Sequence, residues 1–401
     1  MHIGPLLRAM GRNRTRFALI ILEIALTLAI VTNCLNIILD QRKGMQKPSG
    51  FDDDNLVTVA ASPFGTEWKD QSFVENTVHA DLRALKALPG VKDAAATYFI
   101  PWQGGGSSGT FRTDGFNEKF QAQIYPTSSE IFNTLGVHIT AGRNFVPSDT
   151  PADPNASSKV TIISSALAKK VWGNANPLGK VIASGEGKYP RTVIGVFDEF
   201  YNPYNKWPIE DLVLFTPGRS WSSTGAYYLI RTDAGAKKAV LTELEGGLLK
   251  VNPNRVLRIL TVSEIKSNFF SNSRIAVNGM MGLIIALIVI TALGIVGVTA
   301  MSVAERTKQI GTRRALGATR GDILRHFLAE NWIATTAGLA VGVVGAYGLN
   351  LFLLSRVSDV KLPWQLVVAG MLLLWINGLL STIPPALRAT MVPPSTATRS
   401  V

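Results

Sequence analysis

Residues 302–331, SVAERTKQIGTRRALGATRGDILRHFLAEN, form a basic, glycine-punctuated segment wedged between two long apolar runs that carry almost no charge. Ile310, Leu316, Ile323, Leu324, Phe327 and Leu328 recur at loosely helical spacing, interleaved with Arg306, Lys308, Arg313, Arg314, Arg320 and Arg325. The pattern predicts a short amphipathic helix or a pair of them, with bends at Gly311, Gly317 and Gly321. Thr319 with Asp322 reads as a capping box that opens the next helix. Between two membrane spans, this excess of cations places the segment on the cytoplasmic side. A structured basic elbow joining two spans is suited to receiving a push from a soluble partner.

Charge distribution supports the membrane assignment. Of the formal net charge of +12, residues 40–272 contribute little, with 25 Lys/Arg against 23 Asp/Glu; the remainder holds 15 against 5. The positive charge thus sits at span flanks, where orientation and anionic lipid explain it, and nucleic-acid binding is not supported. Cys34 is the only cysteine, so no disulfide forms within the chain.

Arg8, Arg12, Arg14 and Arg16 precede an apolar run at 17–39, long enough to span a bilayer and read as an uncleaved anchor with a cytoplasmic N-terminus. Glu23 is an acid inside that run: a functional candidate by default, or a side chain that snorkels or hydrogen-bonds within a bundle. Strands are expected at 55–60, 94–99, 159–164, 191–197, 211–216, 226–231 and 256–260, and helices at 73–88, 165–172 and 234–250. Thr127 with Glu130 opens a further short helix, and the glycine-rich stretch after Trp102 reads as a flexible loop. Mixed elements without βα alternation indicate an α+β domain.

Thr261 with Glu264 forms another capping box, and no proline follows before Val303. A continuous helix of that length would reach about 60 Å, twice the hydrocarbon thickness, so its first third would stand outside the bilayer as a stalk. A third span is expected at 332–354, carrying Ala334, Gly338, Gly342 and Ala346 four apart, a ridge that admits close helix approach either within the chain or between protomers. A short loop with Arg356, Asp359 and Lys361 leads to a fourth span, ended by Pro384-Pro385.

The 302–330 string resembles the signature of MacB/FtsX-type ABC transporter permeases. Residues 125–145, YPTSSEIFNTLGVHITAGRNF, together with 160–180, VTIISSALAKKVWGNANPLGK, and TVIGVF after them, resemble that family's periplasmic core domain. The resemblance implies a membrane protein of four transmembrane α-helices with a large α+β extracytoplasmic domain inserted between the first and second. It implies a cytoplasmic segment at 1–15, a first span at 16–40 and a periplasmic domain at 41–262, Porter-like with an inserted subdomain. A stalk and second span at 263–303, a coupling region at 304–329, spans at 330–355 and 363–384 and a cytoplasmic tail at 385–401 complete it. The tail lacks the apolar ending usual in the family.

By the same resemblance, Glu305, Arg306, Ile310, Gly311, Arg313, Arg314, Leu316, Gly317 and Ala318 would couple to a cytosolic ABC ATPase. Reversing the charges at Arg313 and Arg314 is then expected to abolish ATPase binding in a folded protein. The implied partners are that ATPase, a second permease protomer in a homo- or heterodimer, membrane lipid, and in efflux systems a periplasmic adaptor and an outer-membrane channel. The implied location is the bacterial inner membrane with both termini cytoplasmic. The implied work is mechanotransmission, moving the periplasmic domain to export drugs, peptides or lipoproteins; control of a cell-wall hydrolase or signalling is the alternative, and a membrane-anchored enzyme a more distant one.

Catalytic constellations are missing from the sequence. His2, His79, His138 and His326 are scattered, without zinc-ligand spacing, and no metal site is expected. No G-x-S-x-G or H-E-x-x-H string occurs, and Asp52-Asp53-Asp54 lacks the glycine and distal glutamate of a calcium loop, which leaves a solvated turn. No Walker A string occurs, so no cofactor is expected on this chain and ATP would act through the partner.

Overall fold

The computed structural model describes residues 14–64, 66–105, 107–113, 119–153, 156–184, 187–203, 209–218, 220–222, 224–352 and 361–393. The expectations for His2, Arg8, Arg12, Arg356, Asp359 and residues 395–401 lie outside these, as does the side chain of Arg14. The chain divides into two compact units, Lys47–Asn272 and the pair Met1–Gln46 with Ser273–Val401.

Helix α1 (Arg14–Gln46) enters the first unit, which runs β1 (Leu56–Pro63), α2 (Gln71–Lys86), β2 (Val91–Thr97), β3 (Phe99–Ile100), β4 (Gly104–Gly105), β5 (Ser107–Thr113) and β6 (Phe120–Thr127). It continues through α3 (Ile131–Leu135), β7 (Ile139–Gly142), β8 (Val160–Ser164), α4 (Ser165–Trp172), β9 (Val181–Ser184), β10 (Tyr189–Phe197), β11 (Val213–Pro217) and β12 (Trp221–Ser222). It ends with β13 (Gly225–Thr232), α5 (Lys237–Val251), β14 (Arg255–Thr261) and α6 (Val262–Phe269). Strands β2, β13, β1 and β14 pair antiparallel in that order. Alternation sends Val57, Val59 and Ala61 to one face, where Val74, Val78, Leu82 and Leu85 of α2 and Val240, Leu244 and Leu248 of α5 complete a core.

Most of the chain between β2 and β13 builds a second lobe, while β12 pairs with β13 and β3 with β4. Strands β11, β8, β10, β9, β5 and β6 pair in sequence, and β11 returns to pair β6, which closes the ring. Its interior holds Phe111, Phe120, Ile163, Leu167, Ile182, Val193 and Leu214. The rings of Phe99, Tyr125, Phe132, Phe197, Phe200 and Phe215 pack together beside it.

The strand pattern differs from the sequence reading where apolar alternation is weak. Strand β5 is the glycine- and serine-rich SSGTFRT, β6 runs through Pro126, and β3 pairs β4 where a flexible loop was expected. Trp102 in that loop is buried, at φ 64°, a region that a bulky side chain rarely enters. Its backbone N–H donates to Asn202 Oδ1 (3.1 Å) and its Nε1 to Asp53 Oδ1 (2.8 Å), which hold it there. The acidic triplet is likewise no solvated turn: Asp52 pairs with Arg231, Asp53 with Lys266, and the Asp54 carbonyl accepts from Lys237. Among the described residues no His/Cys/Asp/Glu group could hold a metal.

The second unit consists of α1, α7 (Ser271–Glu305), α8 (Thr307–Ala315), α9 (Arg320–Phe352) and α10 (Trp364–Thr390). Four of these, all but α8, are long and apolar enough to cross a membrane. The small-residue ridge of α9 packs within the chain, on α1. A Cβ on Gly338 would stand 2.9 Å from Ile24 Cβ, and one on Gly342 3.0 Å from Ala25 Cα, so only glycine admits this approach. Ala334 and Ala346 are buried in the same seam. Glu23 lies half-buried with its carboxylate over Gly294 of α7, and Thr27 bonds Thr291 (2.8 Å) one turn along.

Two expectations about these helices are corrected. The helix after Thr261 is not continuous to Val303: α6 ends at Phe269, Phe270 forms a one-residue turn at φ −88°, ψ 4°, and α7 begins at Ser271. Consecutive residues of a helix point about 100° apart, whereas Phe269 and Phe270 both contact the Trp102 ring, at 5.9 and 5.5 Å; the turn lets them do so. Pro384-Pro385 does not end α10, which runs on to Thr390. Ala386 and Ala389 beyond the prolines are fully buried, and that packing outweighs the lost backbone bonds.

The capping box at α6 is present, with Thr261 Oγ1 accepting from the Glu264 N–H (3.2 Å) and Glu264 accepting from the Thr261 N–H (2.9 Å). The backbone and hydroxyl donors of Thr261 hold the Glu264 carboxyl below its usual range. A depressed carboxyl stabilises the fold above the free value near ~4.3 and ceases to do so as pH falls through the folded value. Thr261→Ala should therefore cost about 1 kcal/mol at neutral pH and progressively less below pH ~4. Hydrogen exchange of the α6 amides in the full chain, compared at the two pH values, checks this.

Candidate functional site

The α8 elbow is held by charges and apolar contacts that all belong to the second unit. Arg306, the residue between α7 and α8, donates through both terminal nitrogens to Glu330 of α9, at 2.9 and 3.0 Å. That pair is mostly buried, at 17% and 7% side-chain exposure, so its solvent screening is weak. Glu305, the last residue of α7, accepts from both terminal nitrogens of Arg16 on α1. Beneath α8, Ile310 packs with Ile323 and Phe327 of α9 and with Ala386 and Ala389 of α10. Arg314 donates to the carbonyls of Thr390 (3.1 Å) and Val392 (2.5 Å), which lack helical donors at the end of α10.

The elbow turns once. The Gly317 N–H bonds the Arg314 carbonyl and the Ala318 N–H bonds the Arg313 carbonyl, a Schellman pair with Gly317 at φ 97°. Thr319 and Asp322 then cap α9, the Thr319 N–H donating to Asp322 Oδ2 at 3.0 Å and the Asp322 N–H to Thr319 Oγ1 at 3.2 Å. Gly311 lies inside α8 and Gly321 inside the first turn of α9, so neither bends the chain as anticipated.

The nine residues expected to meet an ATPase thus fall into two groups. Glu305, Arg306 and Arg314 are engaged within the chain, and Ile310 and Gly311 are buried. Their contacts are intramolecular because a short helix lying across three span ends needs apolar anchors and cations to neutralise carbonyl and carboxylate ends. Arg313, Leu316 and Gly317 are exposed and Ala318 is half-exposed. Leu316 is 83% exposed, an apolar side chain in a segment where Lys308, Arg313 and Arg320 are also exposed. Reversing Arg314 together with Arg313 would therefore disturb the end of α10, and that double change no longer isolates partner binding. Glu330 was missed by sequence reading; its place two residues before the apolar third span was the available signal.

Comparison with known proteins fits this architecture. Residues 17–246 match the MacB-like periplasmic core domain family and residues 281–394 the FtsX-like permease C-terminal family. The chain belongs to the MacB/FtsX-type ABC transporter permeases. It is a membrane protein with a periplasmic-type α+β domain between its first and second candidate spans. Among its relatives, the uncharacterized ABC transporter permease YknZ of Bacillus subtilis is 26% identical over 337 residues, covering 82% of this chain and 80% of that protein. The macrolide export ATP-binding/permease protein MacB of Neisseria gonorrhoeae is 27% identical over 65% of this chain and 39% of its own length. The pyoverdine export ATP-binding/permease protein PvdT of Pseudomonas aeruginosa is 24% identical over 98% and 58% respectively, so this chain spans about half the length of such relatives. The solved periplasmic region of MacB from Actinobacillus actinomycetemcomitans aligns with 56% of this chain and 97% of its own, at 19% identity and a TM-score of 0.37.

Proposed function

We propose that this chain is the membrane subunit of an exporter driven by a separate cytosolic ABC ATPase, and that residues 304–329 receive the ATPase's movement. The carrying observation is the division within the elbow. Its inner face is tied to α1, α9 and α10, so a force on α8 reaches three spans, while Leu316 and Arg313 project outward. An exposed apolar side chain on a basic segment suits an apolar cleft on a partner whose surface there is acidic. This chain binds no nucleotide itself; ATP acts through the partner.

In this reading two protomers act together in a bacterial inner membrane with termini and elbow cytoplasmic, and unit Lys47–Asn272 works on the exported drug, peptide or lipoprotein, alone or with an adaptor and outer-membrane channel. Movement passes to that unit through the Phe270 turn, where Phe269, Phe270 and Lys266 close on Trp102. The coupling route is therefore a jointed connection, and a rigid rod is not required.

The test separates docking from folding. Leu316→Asp and Arg313→Glu change exposed side chains, and each should reduce ATPase co-purification at least tenfold (about 1.4 kcal/mol) with an unaltered size-exclusion profile. Retention of the ATPase by the double variant would refute the docking assignment.

A further inference from the structure

We infer that the open face of the four-stranded sheet in unit Lys47–Asn272 is a binding site for an aromatic carboxylate. Register places Tyr227 and Arg258 on either side of Ala60, in strands β13, β14 and β1. Neighbouring strands lie about 4.8 Å apart, so the tyrosine and the arginine stand about 10 Å apart with only a methyl group between them. The β2–β3 connection and the loop after β3 add Tyr98 and Gln103, and Leu260 closes the floor of a cleft of about 360 Å³. That volume lies within the range of small-molecule sites.

Charge selects the ligand. The Arg258 side chain is exposed and, among the described residues, makes no ion pair or hydrogen bond, whereas Arg255 and Arg231 on the same sheet are both paired with aspartates. No carboxylate lines the cleft among the described residues. One guanidinium matches one carboxylate in bidentate geometry; a dianionic phosphate would call for more donors than this. The half-exposed rings of Tyr98 and Tyr227 offer aromatic faces and edges to a flat apolar body. The competing role for Arg258 is protection of β14, which is the edge of the sheet, from pairing with other strands.

This site does not depend on ATPase coupling, and its test uses no ATPase. The full chain in lipid nanodiscs is titrated with 2-naphthoxyacetate and with its neutral amide, by saturation-transfer NMR against empty nanodiscs. Saturable binding of the acid is expected, with the amide about tenfold weaker. Arg258→Gln should weaken the acid about tenfold and leave the amide unchanged, Arg258→Lys should lose less, and Ala60→Trp should fill the notch and abolish both. No saturable binding to the unaltered chain overturns the assignment, as does equal binding by all variants. Increased self-association of Arg258→Gln with unchanged probe binding assigns the arginine to edge protection instead.

Discussion

Replacing Glu330 with Gln should destabilise the membrane unit by about 3–5 kcal/mol, as breaking a buried ion pair does. Losing its partner strands the Arg306 guanidinium, which is only 17% exposed beneath the elbow. The apparent melting temperature in detergent, followed by size exclusion, measures the loss. Replacing both partners, as Arg306→Met with Glu330→Leu, removes the stranded charge and should restore most of the stability. The double variant then carries a functional question, because α8 would keep its apolar seat on Ile310, Ile323 and Phe327 but lose its clamp to α9. Coupling through the clamp predicts that it binds the ATPase and exports poorly. Full export by a stable double variant would show that the pair only stabilises.

An effect of similar size is expected in the other unit. Asp81 of α2 and Arg255 of β14 are both 0% exposed at their side chains, joined at 2.5 and 2.7 Å. Asp81 also accepts from the Tyr228 hydroxyl (2.5 Å), and Arg255 donates to the Leu248 carbonyl, so one charge pair links α2, β13, β14 and α5. Burial, reinforced by the Asp81 charge, pushes the Tyr228 hydroxyl well above its ordinary value, so it remains a donor throughout the working pH range. Asp81→Ala removes two partners at once and should cost about 3–5 kcal/mol. The expected readout is loss of amide protection across β1, β13 and β14 in the full chain. Asp81→Leu with Arg255→Met should recover much of it; no recovery would mean that the polar network specifies the packing of α2.

How much of this was legible beforehand depended on the reach of the interaction. The helix at 165–172 and the capping boxes at Thr261 and Thr319 depend on residues a few positions apart, and composition signals them directly. Asp81 was a detectable anomaly, an acid on the helical face otherwise formed by Val74, Val78, Leu82 and Leu85, but its partner is 174 residues away. Strands β5 and β9, SSGTFRT and VIAS, carry weak patterns, and they are held by pairing with distant strands that no local signal announces.

By itself, the sequence determined the apolar spans and their basic elbow, since run length and charge act locally and lipid admits few alternatives. It also carried the family signature. The tertiary structure alone decided which elbow residues face inward and which outward, because burial depends on three span ends meeting. Only in three dimensions do two phenylalanines reach one tryptophan and interrupt the expected rod, or does an alanine come to lie between a tyrosine and an unpaired arginine. Local propensity is additive along the chain, whereas packing selects among the conformers that propensity allows.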